Sequence, residues 1–331
     1  MRFSFSFSNL VIAALLIGLA LVPTIANVID EPFYVTLFSR TVILALAAVS
    51  LNLVLGYGGM VSFGHAVYLG LGAYTVGMGF YLSFEAGHEW AANGWLHLIG
   101  AAVVSGFFAL LIGLVSLRTK GVYFIMITLA FAQMMYFVFV GMETLGGDDG
   151  VSLYQLSDFG SLMDLNDDVT LYYLSYGLLV ASLYLVHRIV RSRFGMVMRG
   201  AKSNDTRMQA IGFPTYRYRL AGFVISGMIC GIAGFLLANQ TEFVSPSDMH
   251  WTRSGDLIVM VVLGGMGTLF GPLVGSVFFL IVEEVLSGYF AFWKMIFGPI
   301  LIIIILFAKG GIMGMLQGLD ARLSGKGGQD D

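Results

Sequence analysis

Runs of about 20 mostly apolar residues recur along the whole chain, each long enough to cross a hydrocarbon core of about 30 Å. Apart from closed barrels, only helices satisfy every backbone amide and carbonyl in lipid, so this pattern dictates an all-α, polytopic membrane architecture. The composition agrees. Of the 331 residues, 58% are hydrophobic and 11% charged, against about 25% charged in an average soluble domain. Spans are expected at 10–29, 35–55, 65–83, 97–117, 122–142, 170–187, 219–240, 256–267, 272–288 and 291–308, about ten transmembrane segments. The eighth is too short for a full crossing. The first follows a single arginine, Arg2, and has a longer apolar core than a secretory leader. Its "TIANVIDEP" is also a poor cleavage site, so it is read as a helix that stays.

Charge then orients the bundle, because lysine and arginine favour the cytoplasmic side. With the N-terminus inside, 14 of the 17 basic residues fall inside; only Arg40, Arg253 and Lys294 do not fit. Eight of the 14 lie in one segment, 188–219, and Lys309, Arg322 and Lys326 lie in a short tail at 309–331. The segment 143–168 carries seven acidic residues and no basic one, and is expected outside. The whole of 1–331 reads as one membrane domain with a cytoplasmic loop at 188–219. Cys230 is the only cysteine, which excludes an intrachain disulfide.

Two glycine-dense breaks interrupt the apolar runs, near 56–65 and 264–272. Both carry Gly-Gly-Met, a hydroxyl residue and Phe-Gly: Gly58, Gly59, Ser62 and Gly64 in the first, Gly264, Gly265, Thr268 and Gly271 in the second. Each interior glycine costs a helix roughly 1 kcal/mol relative to alanine. Non-helical backbone at such depth survives only when buried in protein or lining a cavity. These residues, with His65, are therefore candidates for a pathway through the bundle. Tight packing of helices is the competing explanation.

The segment "RIVRSRFGMVMRGAKSNDTRMQAIGFPTYRYR" holds a short surface helix. Asn204 or Ser203 caps it, Asp205 suits its first turn, Gly212 stops it and Pro214 prevents continuation. Met208 and Ile211 lie three apart on one face. Such a helix either rests on anionic headgroups or docks a soluble partner through Asn204, Asp205, Arg207, Met208, Ile211 and Gly212. No phosphate-binding G-x-x-x-x-G-K-[ST] loop occurs, so any ATP would have to bind another chain.

The isolated polar residues point to structure before chemistry. His65 is read first as a packed histidine bonded to a free carbonyl, and Thr128 and Gln133 as interhelical hydrogen-bonding groups. Arg40 is expected to snorkel to the outer headgroups, and Glu283 and Glu284, towards the periplasmic side near Lys294, to form an ion pair or a docking contact before any proton relay. No nucleophile–base set, paired carboxylates or metal-ligand spacing stands out. No catalytic residue, cofactor, metal or nucleic-acid partner is expected.

Four stretches carry a resemblance: "LNLVLGYGGMVSFGHAVYLGLGAYT", "GGDDGV" at 146–151, "AIGFPTYRYRLAGFVISGMICGIAGFLLA" at 210–238 and "VMVVLGGMGTLFGPLVG" at 259–275. In order and content they resemble the branched-chain amino acid ABC transporter permeases of the LivM type. The resemblance implies an inner-membrane permease subunit of an importer. It also implies a second, LivH-like permease, two cytoplasmic ATP-binding subunits and a periplasmic substrate-binding protein. Residues Ala201 to Gly212 match the family's coupling region, although its glutamate is replaced by the neighbourhood of Asp205, Thr206 and Arg207. Related permeases handle branched-chain amino acids, urea, short amides and aromatic acids, and the solute stays open at this point. The alternative function is an ion-coupled secondary transporter, which also uses broken helices but needs ligands for its coupling ion. A structural or channel subunit is a third reading.

Overall fold

A computed structural model describes residues 7–160, 163–289, 292–307 and 310–323. Arg2, Lys309 and Lys326 lie outside the described residues. Thirteen α-helices run through the described chain: α1 (Phe7–Ile29), α2 (Phe33–Asn52), α3 (His65–Phe80), α4 (Gly94–Ser116), α5 (Val122–Val140), α6 (Asp168–Arg191), α7 (Arg193–Ser203), α8 (Asp205–Ala210), α9 (Thr215–Thr241), α10 (Trp251–Gly264), α11 (Gly271–Tyr289), α12 (Trp293–Phe307) and α13 (Gly311–Leu323). The fold is an all-α, multi-pass membrane bundle. Among the described residues, eight helical runs are long and apolar enough to cross a membrane; α10 and α12 are the two shorter expected segments.

The sequence explains which helices sit inside. The run from Phe33 to Tyr57 has 83% of its apolar window buried, whereas that of α5 has 17% buried. Helices α2, α3 and α9 form the centre, with α5 and α1 outside. Small residues let the central backbones touch. A β-carbon on Gly72 would overlap the Gly231 carbonyl of α9, and one on Gly234 would overlap the Leu69 carbonyl of α3. Helices α10 and α11 use the same device, with Gly264 against Gly271 and Gly275 against Met260.

Contacts between distant segments group the loops as their charges do. The acidic segment pairs Val151 and Ser152 antiparallel with Val244 and Phe243 after α9, and bridges Asp158 to Asn93 before α4. At the other end Lys120, between α4 and α5, bonds Asp205 of α8 at 2.5 Å. The stretch expected as a tail contains α13, which packs beside the second break: a β-carbon on Gly311 would sit 2.6 Å from the Gly265 amide.

Arg40 has a protein partner in addition to any headgroup it reaches. Its guanidinium, from α2, lies 3.7 Å from the Glu283 carboxylate of α11; the Lys294 side chain, expected near that carboxylate, lies outside the described residues. An opposite charge one helix away accommodates an arginine within an apolar helical run.

Candidate functional site

The two glycine breaks, more than 200 residues apart in sequence, meet in space. After α2 the chain widens into a π-turn at Leu53–Tyr57, and the Gly59 and Met60 amides bond back to the carbonyls of Leu55 and Val54. Gly59 then takes φ +69°, a left-handed conformation that favours glycine. The second break turns through Gly265 (φ +120°) and Gly267 (φ +77°). Asn52 ties the two together: its Nδ2 donates to the Thr268 carbonyl at 2.8 Å, and its Oδ1 accepts from the Gly267 amide at 3.0 Å. Gly56 lies against the same turn, where a β-carbon would be 2.5 Å from the Gly267 nitrogen.

The expected pathway residues divide by what they touch. Gly264 and Gly271 face each other at the α10–α11 contact, and Gly64 packs on the Thr128 carbonyl of α5, so these three serve close approach. Gly58 packs on the Val54 carbonyl. Ser62 is buried and accepts from the Gly64 amide at 3.3 Å, and the Thr268 hydroxyl donates to the Gly265 carbonyl at 2.8 Å. Both hydroxyls are therefore occupied by their own turns. Gly59, by contrast, lines a cavity of about 180 Å³ with Met60, Val61, Lys120, Phe124 and Arg219. A larger apolar cavity, about 450 Å³, opens at the other end of α3, α4 and α5 among Tyr74, Met78, His97 and Met135, and neither break contributes to it.

His65 is packed, as expected, but its partner is a hydroxyl. Its Nε2 lies 2.9 Å from Ser50 Oγ and 3.4 Å from Ser226 Oγ. Ser50 already donates its proton to the Ala47 carbonyl at 2.6 Å, so His65 Nε2 carries the hydrogen and donates to Ser50. His65 Nδ1 is left without a partner. Thr128 accepts from the Phe63 amide at 3.3 Å, and Ser254 accepts from the Ala66 amide at 2.9 Å, so α5 and α10 both hold the end of the first break that leads into α3.

The basic segment folds as two short helices instead of one. Helix α7 packs Val197, Met198 and Ala201 inward, a spacing present in the sequence that marks one helical face. Asn204 caps α8 by accepting from the Arg207 amide at 2.9 Å, and Gly212 takes φ +97° after it. Met208 does not project: its sulfur packs where a β-carbon on Gly200 would stand, so α8 leans on α7. Ile211 (65% exposed) and Phe213 (39% exposed) form the outward apolar tip, and Phe213 was not singled out from the sequence. Arg207 faces solvent. Asp205 anchors the base of α8 between Lys120 and Arg219, at 2.5 and 3.7 Å. Burial raises the Asp205 pKa, but the bonds from Lys120 and Thr215 and the charges of Arg219 and Lys120 outweigh it, holding the carboxyl below the usual carboxylate range. Finally, Lys202 at the end of α7 donates from Nζ to the Gly56 carbonyl at 2.7 Å, joining the basic segment to the first break.

A glycine-packed helical bundle with two interlocked breaks and an anchored basic helix pair defines a membrane subunit of the permease class. The chain belongs to the family described as "Branched-chain amino acid transport system / permease component", whose pattern matches residues 33–306. It is 26% identical over 306 residues to the high-affinity branched-chain amino acid transport system permease protein LivM of Salmonella typhimurium, covering 86% of this chain and 70% of that one. The Escherichia coli LivM permease protein is 25% identical over 327 residues, covering 90% and 75%. A probable LivH permease protein of Methanocaldococcus jannaschii is 28% identical over 152 residues, covering 42% and 45%. No solved structure matches the chain significantly.

Proposed function

We propose that this chain is one of two permease subunits of an ATP-driven importer in a bacterial inner membrane. It would carry branched-chain amino acids or related small polar solutes. Two cytoplasmic ATP-binding subunits and a periplasmic substrate-binding protein complete the assembly. The acidic segment 143–168 then faces the periplasm, and α7, α8 and the tail face the cytoplasm, as the charge asymmetry requires.

One observation carries this reading: a capped, anchored α8 presents Ile211 and Phe213 outward at the basic end of the bundle. A rigid peg with apolar knobs suits a cleft on a soluble protein. Its base, held by Asp205 between Lys120 and Arg219, supports the ATPase dock over a loose interfacial helix. The solute path passes the first break, where Gly59 lines the 180 Å³ cavity and Gly58, Ser62, Gly64 and His65 pack and bond the chain around it. Gly264, Gly265, Thr268 and Gly271 support it from behind through Asn52. Free backbone groups bind a solute weakly, which suits a permease that receives its cargo from a binding protein and must release it.

The test is co-isolation of the ATPase subunits with the chain, and substrate-stimulated ATP hydrolysis by the reconstituted assembly. Gly212→Val, which strains a left-handed stop, and Ile211→Asp, which charges the tip, should insert normally yet lose the ATPase. Normal recovery of the ATPase by both variants would remove the docking reading.

A further inference from the structure

Docking at α8 moves solute only if the breaks feel it, and one side chain makes that physical connection. Lys202 lies two residues before Asn204, the cap of α8, so any shift of α8 reaches it within a single turn of chain. Its ammonium bonds the Gly56 carbonyl at 2.7 Å. Gly56 lies in the last turn of the helical run that begins with α2, where carbonyls lack helical donors and a cation complements the helix dipole. The Lys202 stem carries a second contact, since a β-carbon on Gly59 would be 2.7 Å from its Cγ. Head and stem therefore grip the first break on both sides of its turn. Gly56 is in turn pressed on Gly267, and Asn52 locks that pair to Thr268. Among the described residues, no other side chain of α7 or α8 hydrogen-bonds a residue of either break.

We propose that Lys202 is a positioning residue for transport, the link through which displacement of α8 is delivered to both glycine breaks. This rests on the reading of α8 as the ATPase dock. A lysine that merely decorates the surface would leave the ratio of solute moved to ATP hydrolysed unchanged when replaced. A lysine that couples the two would not.

The experiment uses the complete reconstituted transporter with Lys202→Met, Lys202→Gln and Lys202→Arg. The methionine variant keeps the stem and loses the donor. It is expected to retain the ATPase subunits and to hydrolyse ATP, while solute moved per ATP falls at least tenfold. Arginine, which retains a cationic donor, should restore at least half of the ratio. If methionine prevents assembly, glutamine, a shorter neutral donor, is read in its place with the same expected fall. A wild-type ratio in the assembled methionine or glutamine variant overturns the proposal, as does an arginine variant no better than methionine. Ile211→Asp and Gly212→Val are run in parallel. If both retain the ATPase, the docking reading fails and the proposal falls with it; if either loses the ATPase while Lys202→Met behaves as wild type, only the link fails.

Discussion

The Asn52 side chain and Thr268 are 216 positions apart in sequence, yet the Asn52 amide donates to the Thr268 carbonyl at 2.8 Å while accepting from the neighbouring Gly267 amide. One residue on the central helix thus satisfies an acceptor and a donor that the second break frees from helical bonding. In an apolar surround that is worth more than a surface hydrogen bond, because each orphaned group costs about 1–3 kcal/mol. Asn52→Leu, similar in size but unable to bond, should therefore lower the detergent-solubilised chain's thermal midpoint measurably. An unchanged midpoint would mean that water or a rearranged turn replaces the amide.

Glycine substitutions should separate by what faces them. Gly234→Ala pushes a methyl into the Leu69 carbonyl, backbone against backbone, which neither helix can relieve without parting. Overpacking of this kind costs about 1–3 kcal/mol and occasionally more. Gly177→Ala, on α6, meets nothing within 4 Å and gains up to about 1 kcal/mol of helix propensity. The expected outcome is loss of folded, monodisperse protein for the first and equal or better yield for the second, read by size-exclusion profiles. Gly265→Ala belongs with the damaging group, because its φ of +120° and the Gly310 carbonyl 2.5 Å from a β-carbon leave no room.

Asp205 sets a pH expectation. Its folded pKa is depressed, so its stabilising charge is fully present above the unfolded value of about 3.9 and is lost only as pH falls through the lower folded value. Between pH 6 and 8 ATPase recovery should be flat with respect to this residue. Asp205→Asn, which removes the charge facing Lys120 and Arg219, should weaken recovery at every pH in that range. Pull-down of the ATPase across the range measures both. A midpoint between pH 6 and 8 that Asp205→Asn abolishes would contradict the anchoring role.

Much of this organisation is legible in the sequence because hydrocarbon enforces it. Runs of apolar residues mark the spans, glycine clusters mark the breaks, and Asn204 and Gly212 mark the ends of α8. What escaped depends on contacts between distant residues. Arg40 looked unpaired until α11 placed Glu283 beside it. Met208 and Ile211 share a helical face by spacing, but Gly200 offers a slot that only Met208 fills, leaving Phe213 to join Ile211 at the tip. Helix α7 was missed although Val197, Met198 and Ala201 are spaced for it, because arginines and glycines dilute the pattern. The local likeness of the two breaks was visible; that Asn52 joins them was not, since nothing in a single asparagine announces its partner.

The placement of the two ends can be checked by thiol labelling in a Cys230→Ser background. A cysteine at Asp149 should react with an impermeant reagent applied from the acidic side of intact cells. One at Asn204 should react only after the inner face is opened. Labelling of Asn204 from outside would invert the bundle and place α8 beyond reach of ATP.

The most direct measurement of the account as a whole is uptake of a labelled branched-chain amino acid by proteoliposomes. They would contain this chain, its second permease and the ATPase subunits, with the binding protein outside and ATP enclosed. Uptake should require enclosed ATP, should stop when this chain is omitted, and should persist when ion gradients are collapsed. Uptake driven by an ion gradient in the absence of ATP would contradict the account and favour a secondary transporter.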